Sequence, residues 1–172
     1  ITMILKKRGV KVITGARVTK LSNSDGKIVS TFTAKDKEES VESDELLIAI
    51  GRRANTEGLF DEGFIETERG QIKVNDKFMT SREGIYAIGD VIFGGIQLAH
   101  VATAQGINAV HAMQGKEMPI NMNIVPSCIF TYPEIASVGI TADEAKSQGI
   151  EIKTAKFPMG ANGKTVIETE DR

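Results

Sequence analysis

Residues 80–90 read Thr80-Ser81-Arg82-Glu83-Gly84-Ile85-Tyr86-Ala87-Ile88-Gly89-Asp90. Residues 85–88 form a short apolar run, expected as a buried strand, and the run stops at Gly-Asp. In open α/β sheets ligands sit just beyond the carboxyl ends of strands. Gly89 removes a side chain where a ligand would approach closely. Asp90 then offers carboxylate oxygens to a hydroxyl group, and charged hydrogen bonds of this kind are worth roughly 1.5–3 kcal/mol.

After a loop through Phe93-Gly94-Gly95, the pattern predicts a helix over residues 98–113. Along it Ala99, Ala102, Gly106, Ala109 and Met113 alternate three and four apart, so one stripe is nearly free of large side chains. The N-terminus of such a helix favours negative charge through its unpaired N–H groups and dipole.

Upstream, residues 16–21 and 28–34 are strand-like around the turn Ser22-Asn23-Ser24-Asp25-Gly26. A charged turn at 35–39 leads to Ser40-Val41-Glu42, completing an antiparallel meander with one wet face. Residues 10–13 read as a short strand following a helix closed by Gly9. Residues 46–50 are apolar throughout, as in a strand covered on both faces. Downstream of the small strand candidate at 71–75, Pro119 and Pro126 bracket a linker. Residues 128–132 and 136–139 are strand-like, and Thr141 with Glu144 makes a capping box for a short helix closed by Gly149. Residues 150–157 and 164–172 read as further strands. Both ends of the sequence look like cuts through a larger fold.

The bulk numbers narrow the function classes. Of the 172 residues, 41% are hydrophobic and 26% charged, a balance typical of soluble domains. A net charge of −2 offers no basic surface for nucleic acid. No apolar run approaches the roughly 20 residues of a membrane helix. Cys128 is the single cysteine, which excludes an internal disulfide framework and fits a reducing, cytoplasmic compartment.

Residues 80–90 followed by Leu98-Ala99-His100 resemble the second FAD motif of the pyridine-nucleotide disulfide oxidoreductases, most of all the dihydrolipoyl dehydrogenase branch. The resemblance is collinear. Ala49-Ile50-Gly51-Arg52-Arg53-Ala54-Asn55 is similar to the strand end that closes the NAD domain, with Ala54 where proline is usual. The run from Val125-Pro126-Ser127 to Val138-Gly139 looks like the start of the dimerisation domain, and Phe157-Pro158 and Ala161-Asn162 continue it. The implied architecture is α/β: partial FAD/NAD(P)-binding three-layer ββα domains joined to the start of an α+β dimerisation domain. Residues 1–53 would close the NAD-binding domain, 54–118 would return into the FAD-binding domain, and 119–172 would open the dimerisation domain. FAD and NAD are the implied cofactors. The resemblance assigns Asp90 to the flavin ribityl chain and Gln97, Leu98, Ala99 and His100 to the segment under the flavin ring. It assigns Gly51 and Val18 to NAD.

Three family signatures are absent: a G-x-G-x-x-G fingerprint, a Cys-x4-Cys redox pair, and a C-terminal His…Glu dyad in a His-Pro context. His100 and His111 lack that context and Cys128 lacks a partner cysteine, so no catalytic residue and no metal ligand set is expected here. The implied activity is oxidation of protein-bound dihydrolipoamide with reduction of NAD, in a homodimer served by lipoyl domains of 2-oxo-acid dehydrogenase complexes. The disulfide and the base would lie outside this chain, which alone is expected to be inactive. The alternatives are a mercuric, glutathione or coenzyme A disulfide reductase, a soluble transhydrogenase, or a non-catalytic dimerisation module. Leu98-Ala99-His100 favours the lipoyl enzyme.

Overall fold

Asp25 and Gly26 both adopt left-handed backbone, with φ of 52° and 77°. This is the two-residue hairpin turn whose twist matches that of the flanking strands, and glycine accepts it without a Cβ penalty. It folds β1 (Arg17–Ser24) antiparallel onto β2 (Lys27–Ala34). Lys35 and Asp36, at φ 50° and 60°, repeat the device and return the chain as β3 (Lys37–Ser43). The expected meander therefore forms, with β2 in the middle. Ser30, Phe32 and Ala34 are buried at every second position of β2, the period of a half-covered strand. The flanking β1 is exposed throughout, and a bulge at Thr19 shifts its register against β2.

The computed structural model describes residues 1–168. They form two compact units, Ile1–Asn55 and the residues from Thr56 onward. The first holds the meander and α1 (Thr2–Lys7). That helix ends as Gly9 and the residues around it predict, with the Gly9 N–H donating to the Lys6 carbonyl and the Val10 N–H to the Leu5 carbonyl. Residues 10–13 and 46–50, both expected as strands, are not in a ladder among the described residues. Leu47 and Ile50 are 89% and 94% exposed. An all-apolar strand needs neighbours on both edges and covers on both faces, and the first unit supplies neither for 46–50.

The second unit begins with a small hairpin, β4 (Thr67–Glu68) and β5 (Gln71–Ile72). Its core gathers Ile65, Ile72, Ala87 and Ile92, with Phe60, Val74 and Val91 packed against them. Of residues 85–88, expected as a buried strand, only Ala87 joins this core, Ile85 and Ile88 are exposed, and no strand forms. Tyr86 makes one antiparallel bridge to Met79, and Ile92 one parallel bridge to Ile72. The Thr80 N–H donates to the Ile85 carbonyl at 2.8 Å, and the Thr80 hydroxyl accepts the Arg82 N–H at 3.1 Å, so the loop is closed by its own polar groups.

Helix α2 (Ala99–Met113) is the longest element. It buries Val101, Gln105, Asn108 and Ala109 on one face. Asn108 is fully buried, and its amide grips Ile120 twice: Nδ2 donates to the carbonyl at 2.8 Å and Oδ1 accepts the N–H at 3.0 Å. The linker between Pro119 and Pro126 is thereby tied back to the helix.

The remaining elements are the hairpin of β6 (Ser127–Ile129) and β7 (Ile135–Ser137), α3 (Ala142–Ser147) and α4 (Gly163–Glu168). The expected capping box forms in full. The Thr141 hydroxyl accepts the Glu144 N–H at 3.2 Å, and the Thr141 N–H donates to Glu144 Oε2 at 2.8 Å. Hydrogen bonds from the Thr141 side chain and then its backbone hold the Glu144 carboxyl below the ordinary glutamate range. Residues 150–157 do not form the expected strand. Residues 164–168, also expected as strand, are helical, because Asn162 Oδ1 accepts the Thr165 N–H at the helix start and Lys164 pairs with Glu168 one turn on, at 3.3 Å. The rest of that expected strand, residues 169–172, lies outside the described residues.

Replacing Asn108 with Ala should lower unfolding stability by about 2–4 kcal/mol, because it leaves two buried backbone groups of Ile120 unpaired and opens a void. Denaturant titration measures this, and Asn108→Asp, which sets a carboxylate oxygen against the buried Ile120 carbonyl, should destabilise at least as much as Asn108→Ala. The Glu144 cap acts with the sign of a depressed carboxylate. Its contribution is complete above the unfolded value and disappears as pH falls through the lowered folded value. Protection of the amides in the first turn of α3, taken relative to their intrinsic exchange rates, should therefore fall in acid, and Glu144→Gln should abolish that pH dependence.

Candidate functional site

The Gly-Asp dipeptide sits in a single 3-10 turn, Gly89–Val91, between extended Ile88 and extended Ile92. It does not end a sheet strand, as the sequence suggested, but its contact with α2 is close. Gly89 is buried with φ +76°, and a Cβ there would stand 3.3 Å from Ala102 Cβ. A Cβ on Gly106 would stand 3.3 Å from Ile88 Cδ1. The small-residue stripe thus has a structural purpose, which is to let the backbone of Ile88 and Gly89 lie against the helix. The stripe is shorter than expected. Ala102, Gly106 and Ala109 face inward, whereas Ala99 and Met113 are exposed.

One hydrogen bond locks the approach. The Gly89 N–H donates to Gln105 Oε1 at 2.6 Å, and Gln105 is 4% exposed. Asp90, the next residue, is half-buried in the first position after this bond.

The same helix carries the second group of expected site residues at its start. Leu98 is the N-cap residue with extended backbone, no side-chain cap, and no acidic residue in the first turn that follows. The Leu98 carbonyl accepts the N–H groups of Val101 and Ala102, both at 3.1 Å. Gln97 and Leu98 are half-buried, and Ala99 and His100 are exposed. His100 Nε2 lies 2.8 Å from the Pro126 carbonyl, which only accepts, so Nε2 carries the proton. This bond ties the start of α2 to the residues that enter β6. Ala99 and His100 thus open α2, Gln97 and Leu98 lead into it, and Asp90 lies in the turn packed against the same helix.

Gly51 and Val18 belong to the other unit. Gly51 has φ +102°, with nothing within 4 Å of a Cβ built there. Val18 pairs with Phe32 in β1 and is 58% exposed, so it is not a core valine. His111 Nδ1 lies 3.2 Å from the Glu117 carbonyl in the last turn of α2, a local role. Cys128 pairs with Ala136 in the β6–β7 hairpin and is half-buried. A cavity of about 590 Å³ lined by Phe64, Glu66, Ser81 and Arg82, among others, includes none of the expected site residues.

Sequence reasoning missed Gln105 and Asn108. Their signal was available: each is a polar residue on the inward face of a helix, beside the glycine or alanine of the small stripe. Buried polar groups of this kind are hydrogen-bonded, which marks them as holding something in place.

Comparison with known proteins identifies the family. The model for pyridine nucleotide-disulphide oxidoreductases matches residues 1–106, and the model for the dimerisation domain of the same proteins matches residues 125–172. The chain is 45% identical over 173 residues to a dihydrolipoyl dehydrogenase of Bacillus subtilis (strain 168), covering 97% of this chain and 36% of that protein. It is likewise 45% identical to the mitochondrial dihydrolipoyl dehydrogenase of Canis lupus familiaris, covering 97% of this chain and 34% of that one. Among solved structures it is similar to LpdA from Mycobacterium tuberculosis, with a TM-score of 0.81 at 30% identity over 96% of this chain and 36% of that chain. The HOCl-induced flavoprotein disulfide reductase RclA from Escherichia coli gives 0.76 at 28% identity, over 96% of this chain and 38% of that chain. The chain spans about a third of the length of these curated relatives. From the paired matches along 1–106 and 125–172, the chain belongs to the pyridine nucleotide-disulphide oxidoreductase family.

Proposed function

We propose that this chain provides the flavin ribityl anchor, part of the NAD-domain end and part of the dimer interface of a dihydrolipoyl dehydrogenase. The observation that carries the reading is the 45% identity to enzymes of that name across 97% of the chain. In this reading residues 1–53 close the NAD-binding domain, 54–118 return into the FAD-binding domain and 119–172 open the dimerisation domain. The cofactors are FAD and NAD. The enzyme is a cytoplasmic homodimer, and its substrate is dihydrolipoamide carried on lipoyl domains of 2-oxo-acid dehydrogenase complexes. No helix among the described residues is long and apolar enough to cross a membrane.

The residues present fit the flavin. Gly89 and the small face of α2 bring the turn close against the helix, and Asp90 follows, half-buried, next to that contact. The start of α2 has no side-chain cap and no acidic residue to compete for its N–H groups. Asp90 would accept hydrogen bonds from ribityl hydroxyls. Gln97, Leu98, Ala99 and His100 would present the positive end of the helix to the negatively charged side of the ring. Gly51 and Val18 would contact NAD. Bound FAD supplies the two-electron link between a dithiol and NAD. The sequence holds one cysteine and no G-x-G-x-x-G, so this reading takes the redox disulfide, the base and both phosphate loops from polypeptide outside these residues.

The similarity to RclA supports a second reading, a sister disulfide reductase with the same flavin anchor. In the enzyme carrying this sequence, Asp90→Ala should raise the FAD dissociation constant about tenfold or more, the loss of one charged hydrogen bond, with the core of the apoprotein still folded. Unchanged flavin retention would remove the role given to Asp90. Steady-state assays with dihydrolipoamide and NAD against glutathione disulfide or mercuric ion with NADPH decide between the lipoyl enzyme and its sisters.

A further inference from the structure

We propose that Gln105 is a positioning residue for Asp90, setting the turn that presents its carboxylate to the flavin; this rests on the reading of Asp90 given above. Three neighbouring side positions of α2 hold Ile88 and Gly89: Ala102 and Gly106 by close approach, and Gln105 by accepting the Gly89 N–H at 2.6 Å. Packing against alanine and glycine sets how near the turn can come but not how it is rotated. A hydrogen bond to the Gly89 N–H fixes the orientation of the peptide unit that precedes the Gly89 Cα, and the left-handed φ of +76° then directs the chain into Asp90.

Gln105 also links the two parts of the site. It lies five residues after His100 on the same helix, about 7.5 Å along its axis at the usual rise. A rigid helix that both carries residues 98–100 at its start and clamps the turn before Asp90 holds the carboxylate and the helix terminus at one separation. A ligand that bonds to Asp90 and lies against the helix start needs both at once. A buried glutamine that only satisfied the core would stabilise the fold without affecting such a ligand.

The test uses the FAD-loaded enzyme carrying this sequence. Gln105→Leu keeps most of the side-chain volume and deletes the acceptor, and it should raise the FAD dissociation constant about tenfold. It should also change the visible circular dichroism of the bound flavin. Gln105→Glu keeps an acceptor at the same reach and should stay within about twofold of the parent. Should the Leu variant not fold, Gln105→Asn, one methylene too short to reach Gly89, carries the same expectation. FAD affinity and flavin dichroism unchanged in the Leu or Asn variant, with Asp90→Ala still releasing FAD, overturn the positioning role and leave the Asp90 reading intact. Retention unchanged in Asp90→Ala as well overturns both.

Discussion

The bond from the Gly89 N–H to Gln105 Oε1, made where Ile88 and Gly89 lie against Ala102 and Gly106, is the contact on which the candidate site depends. Backbone can approach a helix this closely only where side chains are missing on both sides. Gly89 supplies one gap and the small face of α2 the other. The donor that becomes buried by the approach must then find an acceptor, and Gln105 is the residue that provides it. Asp90 follows directly, so its position is inherited from this contact.

Helix α2 therefore serves several neighbours at once. Its start, held by the bond from His100 to Pro126, presents backbone N–H groups without a competing cap. Its middle clamps the Gly89 turn, and Asn108 holds the linker at Ile120. Two buried amide side chains on one helix face are costly unless their hydrogen bonds are complete. Both have partners here, and no buried side-chain polar atom among the described residues lacks one. The result is a helix whose polar core contacts are geometric constraints on the chain before and after it.

Local chemistry was legible wherever a motif closes within a few residues. Asp25-Gly26 makes the hairpin it predicts, Gly9 and Gly149 end their helices, and Thr141 with Glu144 forms its reciprocal cap. The extended segments were less legible. Residues 10–13, 46–50 and 150–157 have the composition of strands but no ladder among the described residues. β-Propensity describes how side chains fit a pleated surface, whereas a strand exists only when another strand takes its backbone bonds. Val166 and Ile167 suffered the opposite error, since a cap at Asn162 and an i,i+4 pair turned an alternating pattern into a helix.

The sequence by itself determined the family and the position of the Gly-Asp turn before a helix of small residues, because collinear motifs and side-chain size are written residue by residue. It also carried the single cysteine, which excludes a disulfide within these residues. Only the tertiary structure decided that the turn is a 3-10 turn and that Gln105 faces it. It likewise decided that the stripe ends short of Ala99 and Met113, and that Val18 is exposed. These depend on which face of α2 meets which stretch of chain. A helical period defines the faces of a helix, but the partner of each face is set by contacts between residues far apart in sequence.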